Sequence, residues 1–343
     1  MKYFAILLIQ SSSIIYSCFM DQHSGIDSSK NKTLIAFGSC SRQNIPNQRW
    51  NDVLQHEPDI WIWLGDNIYG DTHDMNIMKE KYKQQKAYPG YQELLHSSTK
   101  IIGTWDDHDY GVNDGGKNYS RKDESKKLML EFLNVSKDNP VLDREGVYQS
   151  YEYDFKNYKL KVILLDTRYF RDTIYKEPDT RAYLPNTNGD VLGEKQWNWL
   201  EKELKDSGAD LHIIGSSIQV ISEEHAYEKW GNFPEARNRL FDLLKKFPNK
   251  KVILISGDRH IAEISKMDID GLNYPLYDFT SSGLTHTWRN VGNEPNQYRI
   301  SDFIISLNFG LILIEWNENG KHTVQFEIRG EGNELLYGFD TEL

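Results

Sequence analysis

The chain has 343 residues, and its 40 Lys and Arg stand against 51 Asp and Glu, a formal net charge of −11. This acidic balance argues against a protein that binds duplex nucleic acid or an anionic membrane surface, because such proteins need a basic face. The 14 Phe, 9 Trp and 20 Tyr exclude a largely disordered chain, and with only Cys18 and Cys40 there is no disulfide framework.

The N-terminal residues 1–18 predict a secretion signal. Their apolar run, Phe4–Ile9, is too short for a transmembrane span of about 20 residues. The segment resembles a bacterial lipoprotein signal in which Cys18 is lipidated; an ordinary signal peptide and a buried strand are the alternatives. Residues 19–32 are polar and predict a solvated tether. We therefore expect export across the inner membrane to a periplasmic or lipid-anchored location, with the anchor as the only membrane contact.

Six short apolar runs predict buried β-strands, because each has strand length and lacks strict polar alternation. These runs are Thr33–Phe37, Ile60–Leu64, Ile101–Trp105, Leu160–Leu165, Leu211–Ile214 and Val252–Ile255. Helix-length stretches lie between them, such as Lys79–His96, Lys122–Leu133 and Glu194–Leu204. The alternation of strand and helix predicts an α/β fold.

The C-terminal third has a different pattern. Ile304–Leu307, Leu311–Trp316 and Thr323–Arg329, with a turn at Asn319–Gly320, predict antiparallel strands. We expect these strands to complete a second sheet, so that residues 33–343 form a single domain.

Polar side chains follow all six predicted strands directly. The segments at these strand ends are Gly38–Cys40, Gly65–Tyr69, Asp106–Asp109, Asp166–Arg168, Gly215–Gln219 and Gly257–His260. In open α/β sheets ligands bind outside the carboxyl ends of the strands, so groups far apart in the chain can converge on one cleft.

Six residues in these segments form a mixed set of metal-ligand types. They are Cys40, Asp66, Tyr69, Asp107, Asp258 and His260. A thiolate, a phenolate and an imidazole favour Fe(III) or another transition ion, whereas carboxylates favour Ca²⁺, Mg²⁺ or Mn²⁺. Asp258 and His260, two apart on an extended strand exit, should point to the same side. Paired metals about 3.5–4 Å apart serve phosphoester hydrolysis, since they activate a water and neutralise developing charge.

The segments that carry these residues resemble, in their order, the motifs of the alkaline phosphatase D (PhoD-like) family of metallophosphoesterases. The matching segments are FGSCSRQ (37–43), LGDNIY (64–69), TWDDHDYG (104–111), LDTRY (165–169), LGEKQWNWL (192–200), WGNFP (230–234) and SGDRH (256–260). The resemblance covers most of the chain after the tether. It implies a four-layer α/β/β/α sandwich with two facing mixed sheets.

The resemblance also implies a set of metal ligands. Cys40, Tyr69 and His260 would bind iron as Fe³⁺, and Asp66 would bridge the two ions. The second ion, for which oxygen ligands suit calcium, would be held by Asp107, by Asp258 and, in the position of a family-wide histidine, by Gln219. Manganese, magnesium and zinc remain open as alternatives.

His108 would be the general acid that protonates the departing alcohol, next to Asp107. We expect Asp106 and Asp109 to orient its imidazole ring. Three further residues would contact the substrate: Arg42, Arg168 and His286. For Arg168, a buried ion pair with Asp166 is an equal alternative.

The implied activity is metal-dependent hydrolysis of a small-molecule phosphate ester through attack of a metal-activated hydroxide, in a protein expected to be monomeric. A phosphodiesterase or phospholipase D-type hydrolase with the same dinuclear site is the first alternative, because a metal pair serves both ester classes. A lipoprotein that binds metal or phosphate esters without turnover is the second.

Overall fold

The computed structural model describes residues 29–46, 48–180, 182–288, 294–318 and 320–343. The predicted signal at 1–18 lies outside the described residues, as does most of the tether. Within the described ranges, no helix has both the length and the apolar character needed to cross a membrane.

The described residues form two large sheets, a small hairpin and the helices that surround them. The strands are β1 Lys32–Gly38, β2 Ile60–Leu64, β3 Lys100–Thr104, β4 Gln149–Phe155, β5 Tyr158–Leu164, β6 Tyr175–Lys176, β7 Tyr183–Leu184, β8 Leu211–Gly215, β9 Val252–Ser256, β10 Ala262–Met267, β11 Leu276–Ser281, β12 Phe309–Glu315, β13 Thr323–Arg329 and β14 Leu335–Glu342. The α-helices are α1 Trp50–Leu54, α2 Met75–Lys86, α3 Pro89–His96, α4 Asp107–Tyr110, α5 Lys122–Phe132, α6 Gly193–Lys205 and α7 Pro234–Lys245. Single 3₁₀ turns occupy Pro140–Asp143, Trp230–Asn232 and Glu331–Asn333.

Both large sheets are mixed. Among the described residues the first sheet has the order β14-β13-β12-β1-β2-β3 and the second has the order β10-β11-β9-β8-β5-β4. The strands β1, β2 and β3 are parallel in the first sheet, and β5, β8 and β9 are parallel in the second. All six predicted strands are therefore present, and their carboxyl ends lie along one edge of each sheet.

The C-terminal strands differ from the prediction. β12 and β13 pair antiparallel, as expected, but β12 also pairs with β1. These strands therefore extend the first sheet, and the expectation that they form the second sheet is wrong. The run Ile304–Leu307 is not a strand, because Ile304 makes only an isolated bridge with Ala262. The second sheet is built from the middle of the chain instead.

The alternation of side chains along β2 explains the layered packing, since successive residues of a strand point to opposite faces. Ile60, Ile62 and Leu64 belong to the larger core, which lies between the two sheets and continues under α6 and α7. Trp61 and Trp63 belong to the core under helices α1 to α5. The arrangement is therefore helices, sheet, sheet and helices, as the resemblance implied.

The predicted helix Lys79–His96 is in fact two helices, α2 and α3, which are separated at Ala87 and Tyr88. Pro89 is the first residue of α3. Proline disfavours the helical conformation of the residue before it, and Tyr88 accordingly has extended backbone angles, with φ −63° and ψ 128°.

Phe326 provides a test of the packing between the sheets. The ring is fully buried and lies 5.7 Å from Phe279 of the second sheet. Truncation of a buried Phe to Ala costs about 3–5 kcal/mol, so Phe326→Ala should lower the free energy of unfolding by this amount in urea titration. The control Leu335→Ala removes a side chain that is 51% exposed on the neighbouring β14. Equal losses for both variants would contradict the proposed packing role.

Candidate metal centre

The loops after the parallel strands of the two sheets meet at one edge of the sandwich. Hydrogen bonds connect them: Thr104 Oγ1 at the end of β3 donates to the carbonyl of Leu165 after β5, at 2.7 Å. The N–H of Gly257 after β9 donates to the carbonyl of Ser217 after β8, at 3.0 Å. Parallel strands bring their carboxyl ends to the same edge, so the predicted convergence follows from the topology.

The first group of ligand atoms consists of Cys40, Asp66 and His260, whose ligand atoms lie within 4.8 Å of one another. Cys40 Sγ is 3.6 Å from Asp66 Oδ2. The hydroxyl of Tyr69 is 2.9 Å from Nε2 of His260. A sulfur, a phenol and an imidazole from three separate loops therefore surround one carboxylate, and these are the four residues predicted around the iron.

The second group consists of Asp106, Asp107 and Asp258, again with ligand atoms within 4.8 Å of one another. Asp66, Asp107 and His108 form a third group with the same spacing, which links the first two. Oδ2 of Asp106 and Oδ1 of Asp107 are buried without a hydrogen-bond partner among the described residues. Buried carboxylate oxygens require a partner, so these unpaired atoms fit a bound cation.

Four of the predicted ligands have a backbone conformation that is uncommon outside glycine. The φ angles are 60° at Cys40, 49° at Asp66, 65° at Asp258 and 54° at His260. Such residues cluster at functional sites, where the surrounding structure maintains the strain. The expectation of an extended exit at residues 258–260 is therefore wrong: the turn places Asp258 in the second group and His260 in the first.

The electrostatics of the centre favour cations. The guanidinium groups of Arg168 and Arg171 pair with carboxyl groups here. The groups of candidate ligands contain six carboxyl groups, namely Asp66, Asp106, Asp107, Asp114, Asp258 and Glu228. Burial, and then the neighbouring carboxylates Asp106 and Asp107, raise the pKa of Asp258 well above its ordinary value. Burial, and then Asp66, likewise raise the pKa of the Cys40 thiol. A bound cation reverses this effect, because it stabilises the deprotonated ligand.

His108 is oriented by a residue that was not predicted. Its Nδ1 is 2.7 Å from Oδ1 of Asp71, and neither Asp106 nor Asp109 has a hydrogen bond to the imidazole among the described contacts. The prediction that these two aspartates orient His108 is therefore wrong. Burial by itself would lower the pKa of His108, but the ligand carboxylates and Asp71 outweigh it and raise the pKa to about 11.

Asp109 instead organises the backbone of the metal loops. Its carboxylate accepts hydrogen bonds from the N–H groups of Asp66 and Asn67, at 3.1 and 3.2 Å, and of Asp106, at 2.7 Å. Asp109 is fully buried and belongs to the single turn α4 that also presents Asp107 and His108. One carboxylate therefore fixes the loop after β2 to the loop after β3.

Arg168 is fully buried, and its guanidinium binds two carboxylates: Nε lies 2.6 Å from Asp106, and Nη1 lies 2.7 Å from Glu228. The Asp166 carboxylate accepts a hydrogen bond from the backbone N–H of Arg168, at 2.9 Å, and not from its guanidinium. Arg168 therefore forms a buried ion pair, as the alternative predicted, but its partners are Asp106 and Glu228 and the predicted partner Asp166 is wrong. The enclosure of Arg168 favours a structural role over contact with substrate.

The other predicted residues lie at different depths. Arg42 is exposed, and its guanidinium lies 4.7 Å from the centre of the Tyr69 ring. His286 Nε2 is 2.9 Å from the Tyr69 hydroxyl, so His286 belongs to the same constellation. Gln219 Nε2 donates to Glu263 and Thr280, and Gln219 Oε1 is buried without a partner in the described part of the chain.

Sequence reasoning missed two residues that shape this centre. Asp71 follows the LGDNIY segment after a single glycine. Its closeness in sequence to this segment was a signal that could have identified it as a partner for His108. Glu228 lies between the fifth and sixth predicted strands with no motif of its own, and only the fold brings it to Arg168 and Arg171.

Two facing mixed sheets with helices outside, and ligand groups at their common edge, define a metallophosphoesterase-type fold. The family model described as PhoD-like phosphatase matches residues 35–326, and the chain belongs to that family. Alkaline phosphatase D of Bacillus subtilis (strain 168) is 22% identical over 326 residues, covering 76% of this chain and 53% of that protein. The chain thus spans about half the length of this curated relative.

Solved structures show the same fold. A structure of PhoD has a TM-score of 0.69 at 17% identity and covers 91% of this chain and 68% of its own. The GAP50 anchor of the inner membrane complex of Plasmodium has a TM-score of 0.59 at 14% identity, with coverages of 92% and 90%. A dimetal phosphatase from Danio rerio has a TM-score of 0.53 at 14% identity, with coverages of 90% and 98%. At these identities the likeness concerns the fold.

Proposed function

We propose that the protein is a metal-dependent hydrolase that acts on small-molecule phosphate esters. The observation that carries this proposal is the pair of ligand groups linked through Asp66 and Asp107, with His108 beside them. Metal ions held there would supply Lewis acidity and lower the pKa of a water molecule, which hydrolysis at phosphorus requires. Membership of the PhoD-like phosphatase family supports the same class of reaction.

The donor types support different ions at the two groups. The thiol of Cys40, the phenol of Tyr69 and the imidazole of His260 suit iron as Fe³⁺, and Asp66 suits the position between the ions. The carboxylates of Asp107 and Asp258, with Gln219 as a further proposed ligand, offer oxygen atoms of the kind that calcium prefers. Mn, Mg or Zn could occupy the same donors.

His108 is proposed as the general acid. Asp71 accepts a hydrogen bond from Nδ1 and thereby leaves Nε2 to donate a proton to the departing alcohol. A cation held by Asp66 and Asp107 would offset the charge of those two carboxylates, and the hydrogen bond to Asp71 would still favour the protonated imidazole. Arg42 supplies an exposed positive charge beside Tyr69 that can bind a phosphate oxygen.

We further propose that residues 1–18 direct export, that Cys18 carries the lipid, and that residues 33–343 act as one monomeric catalytic domain in the periplasm or at the membrane. The apolar run before Cys18 and the start of β1 at Lys32 support this organisation.

The activity is tested with an aryl phosphate and a bis-aryl phosphate, assayed side by side on protein loaded with iron and calcium. We expect hydrolysis of at least one ester, abolition by metal removal and restoration when the metals return. Faster hydrolysis of the aryl phosphate would indicate a phosphomonoesterase, and faster hydrolysis of the bis-aryl phosphate would indicate a phosphodiesterase. Tight binding of the esters without turnover under any added metal would contradict an enzyme and support a binding protein.

The role of His108 is tested by varying the leaving group. General-acid help contributes about 10²–10⁴-fold, so His108→Ala should lower kcat by this factor for alkyl phosphates and far less for nitrophenyl phosphate. Asp71→Asn should also lower kcat more for alkyl phosphates than for nitrophenyl phosphate. The loss should be smaller than in His108→Ala, because Asp71 only orients the imidazole. Asp138→Asn, in an exposed turn, is the control. Equal losses on good and poor leaving groups would remove the proposed role.

The iron assignment predicts a visible colour. Coordination by a phenolate gives Fe(III) a charge-transfer absorption, so the iron-loaded protein should be purple to brown and Tyr69→Phe should lose the band. The control Tyr82→Phe removes another buried hydroxyl and should keep it. An unchanged spectrum in Tyr69→Phe, or an active protein that contains no iron by elemental analysis, would overturn the assignment.

A further inference from the structure

An exposed indole lies directly beside the metal centre. All nine tryptophans of the chain fall within the described residues, and Trp288 is the one with an exposed ring, at 39%. Its ring centre lies 5.2 Å from that of His260. Its position next to His260 places an accessible aromatic ring where the organic group of a bound ester could reach it.

The position of this indole is fixed by the backbone. The N–H of Trp288 donates to the carbonyl of His260, at 3.1 Å. His286, two residues before it, is within 2.9 Å of the Tyr69 hydroxyl. The segment that carries Trp288 is thus attached to the centre at two points, which keeps the indole beside the predicted ligand His260.

A second aromatic side chain extends the surface. The Tyr227 ring is nearly parallel to the Trp288 ring, at an angle of 21°, with 6.4 Å between the ring centres. The Arg259 guanidinium lies 4.3 Å from the Tyr227 ring and is paired with Glu294. Tyr227 is half-buried, and its ring, which the buried Arg259 contacts, lies next to the exposed indole and helps to hold it in place.

Pairwise contacts connect this aromatic pair to the groups that would bind the phosphate. Arg42 lies over the ring of Tyr69, the Tyr69 hydroxyl contacts His260, and His260 packs against Trp288. A positive charge, two ligand residues and an aromatic surface therefore follow one another. An ester with its phosphate at the ligands and its organic group turned toward Trp288 would contact these groups.

We propose that Trp288 and Tyr227 form a stacking subsite for the organic group of the ester, so that the preferred substrates carry a planar aromatic group, aryl or nucleobase, close to the phosphate. This inference rests on the proposed function, since it concerns the substrate of the same site. Aromatic rings pair with planar aromatic groups in offset-stacked or edge-to-face arrangements, whereas a saturated ring of equal size gains only apolar burial.

The test compares benzyl phosphate with cyclohexylmethyl phosphate on the metal-loaded full chain. The two alcohols have similar size, and the difference in their acidity is the same for wild type and variant, so the change of the ratio between the two proteins isolates the planar ring. We expect kcat/KM to favour benzyl phosphate by about fivefold, as aromatic pairing allows, and the ratio to fall to about one in Trp288→Leu. The control Trp199→Leu changes a half-buried tryptophan that packs on Tyr148, and it should keep the wild-type ratio.

Binding of the matching phosphonates, which cannot be hydrolysed, separates this inference from the proposed function. Benzylphosphonate should bind the metal-loaded wild type about fivefold more tightly than cyclohexylmethylphosphonate, and Trp288→Leu should remove the difference. If neither ester is hydrolysed while this binding preference holds, the proposed catalysis fails and the subsite stands. Equal affinities in wild type, or the same ratio in wild type and Trp288→Leu, would overturn the subsite.

Discussion

The concentration of buried negative charge at the shared edge of the two sheets is the constraint on which this structure depends. Asp106, Asp107 and Asp258 lie within reach of one another, and Asp66 lies within reach of Asp107. Asp66, Asp106 and Asp107 are almost without solvent. Arg168 offsets part of this charge through Asp106. The remainder needs cations, because isolated carboxylates in a medium of low dielectric are costly and would otherwise take up protons. The stability of these loops therefore depends on how far bound cations offset the buried negative charge.

The apolar core between the two sheets allows this charged edge to keep its conformation. Residues other than glycine with positive φ, such as Cys40 and His260, persist only where their surroundings fix them. The large apolar core supplies that rigidity, for the strands that end at the site are buried along almost their whole length. Apolar burial elsewhere in the molecule thus supports strained polar turns at its edge.

Features that depend on neighbouring residues in the chain could be predicted from the sequence, whereas contacts between distant residues could not. The six parallel strands were evident because each is a continuous apolar run, and the ligand types follow directly behind them. β11 was missed because Asp278 and Thr280 interrupt its pattern; both are buried and bind side chains of other segments. The partners of His108 and Arg168 could not be predicted either, since Asp71 and Glu228 reach them only through tertiary packing. The ligand roles themselves stay predictions, although the structure brings the donors together.

The three backbone hydrogen bonds of Asp109 join the two groups of candidate ligands mechanically. Asp66 belongs to the first group and Asp106 to the second, and Asp109 accepts the N–H of both. A shift of one loop therefore changes a carboxylate that also holds the backbone of the other. If cations bind at both groups as proposed, the affinity for one would depend on the presence of the other, by the same factor in both directions.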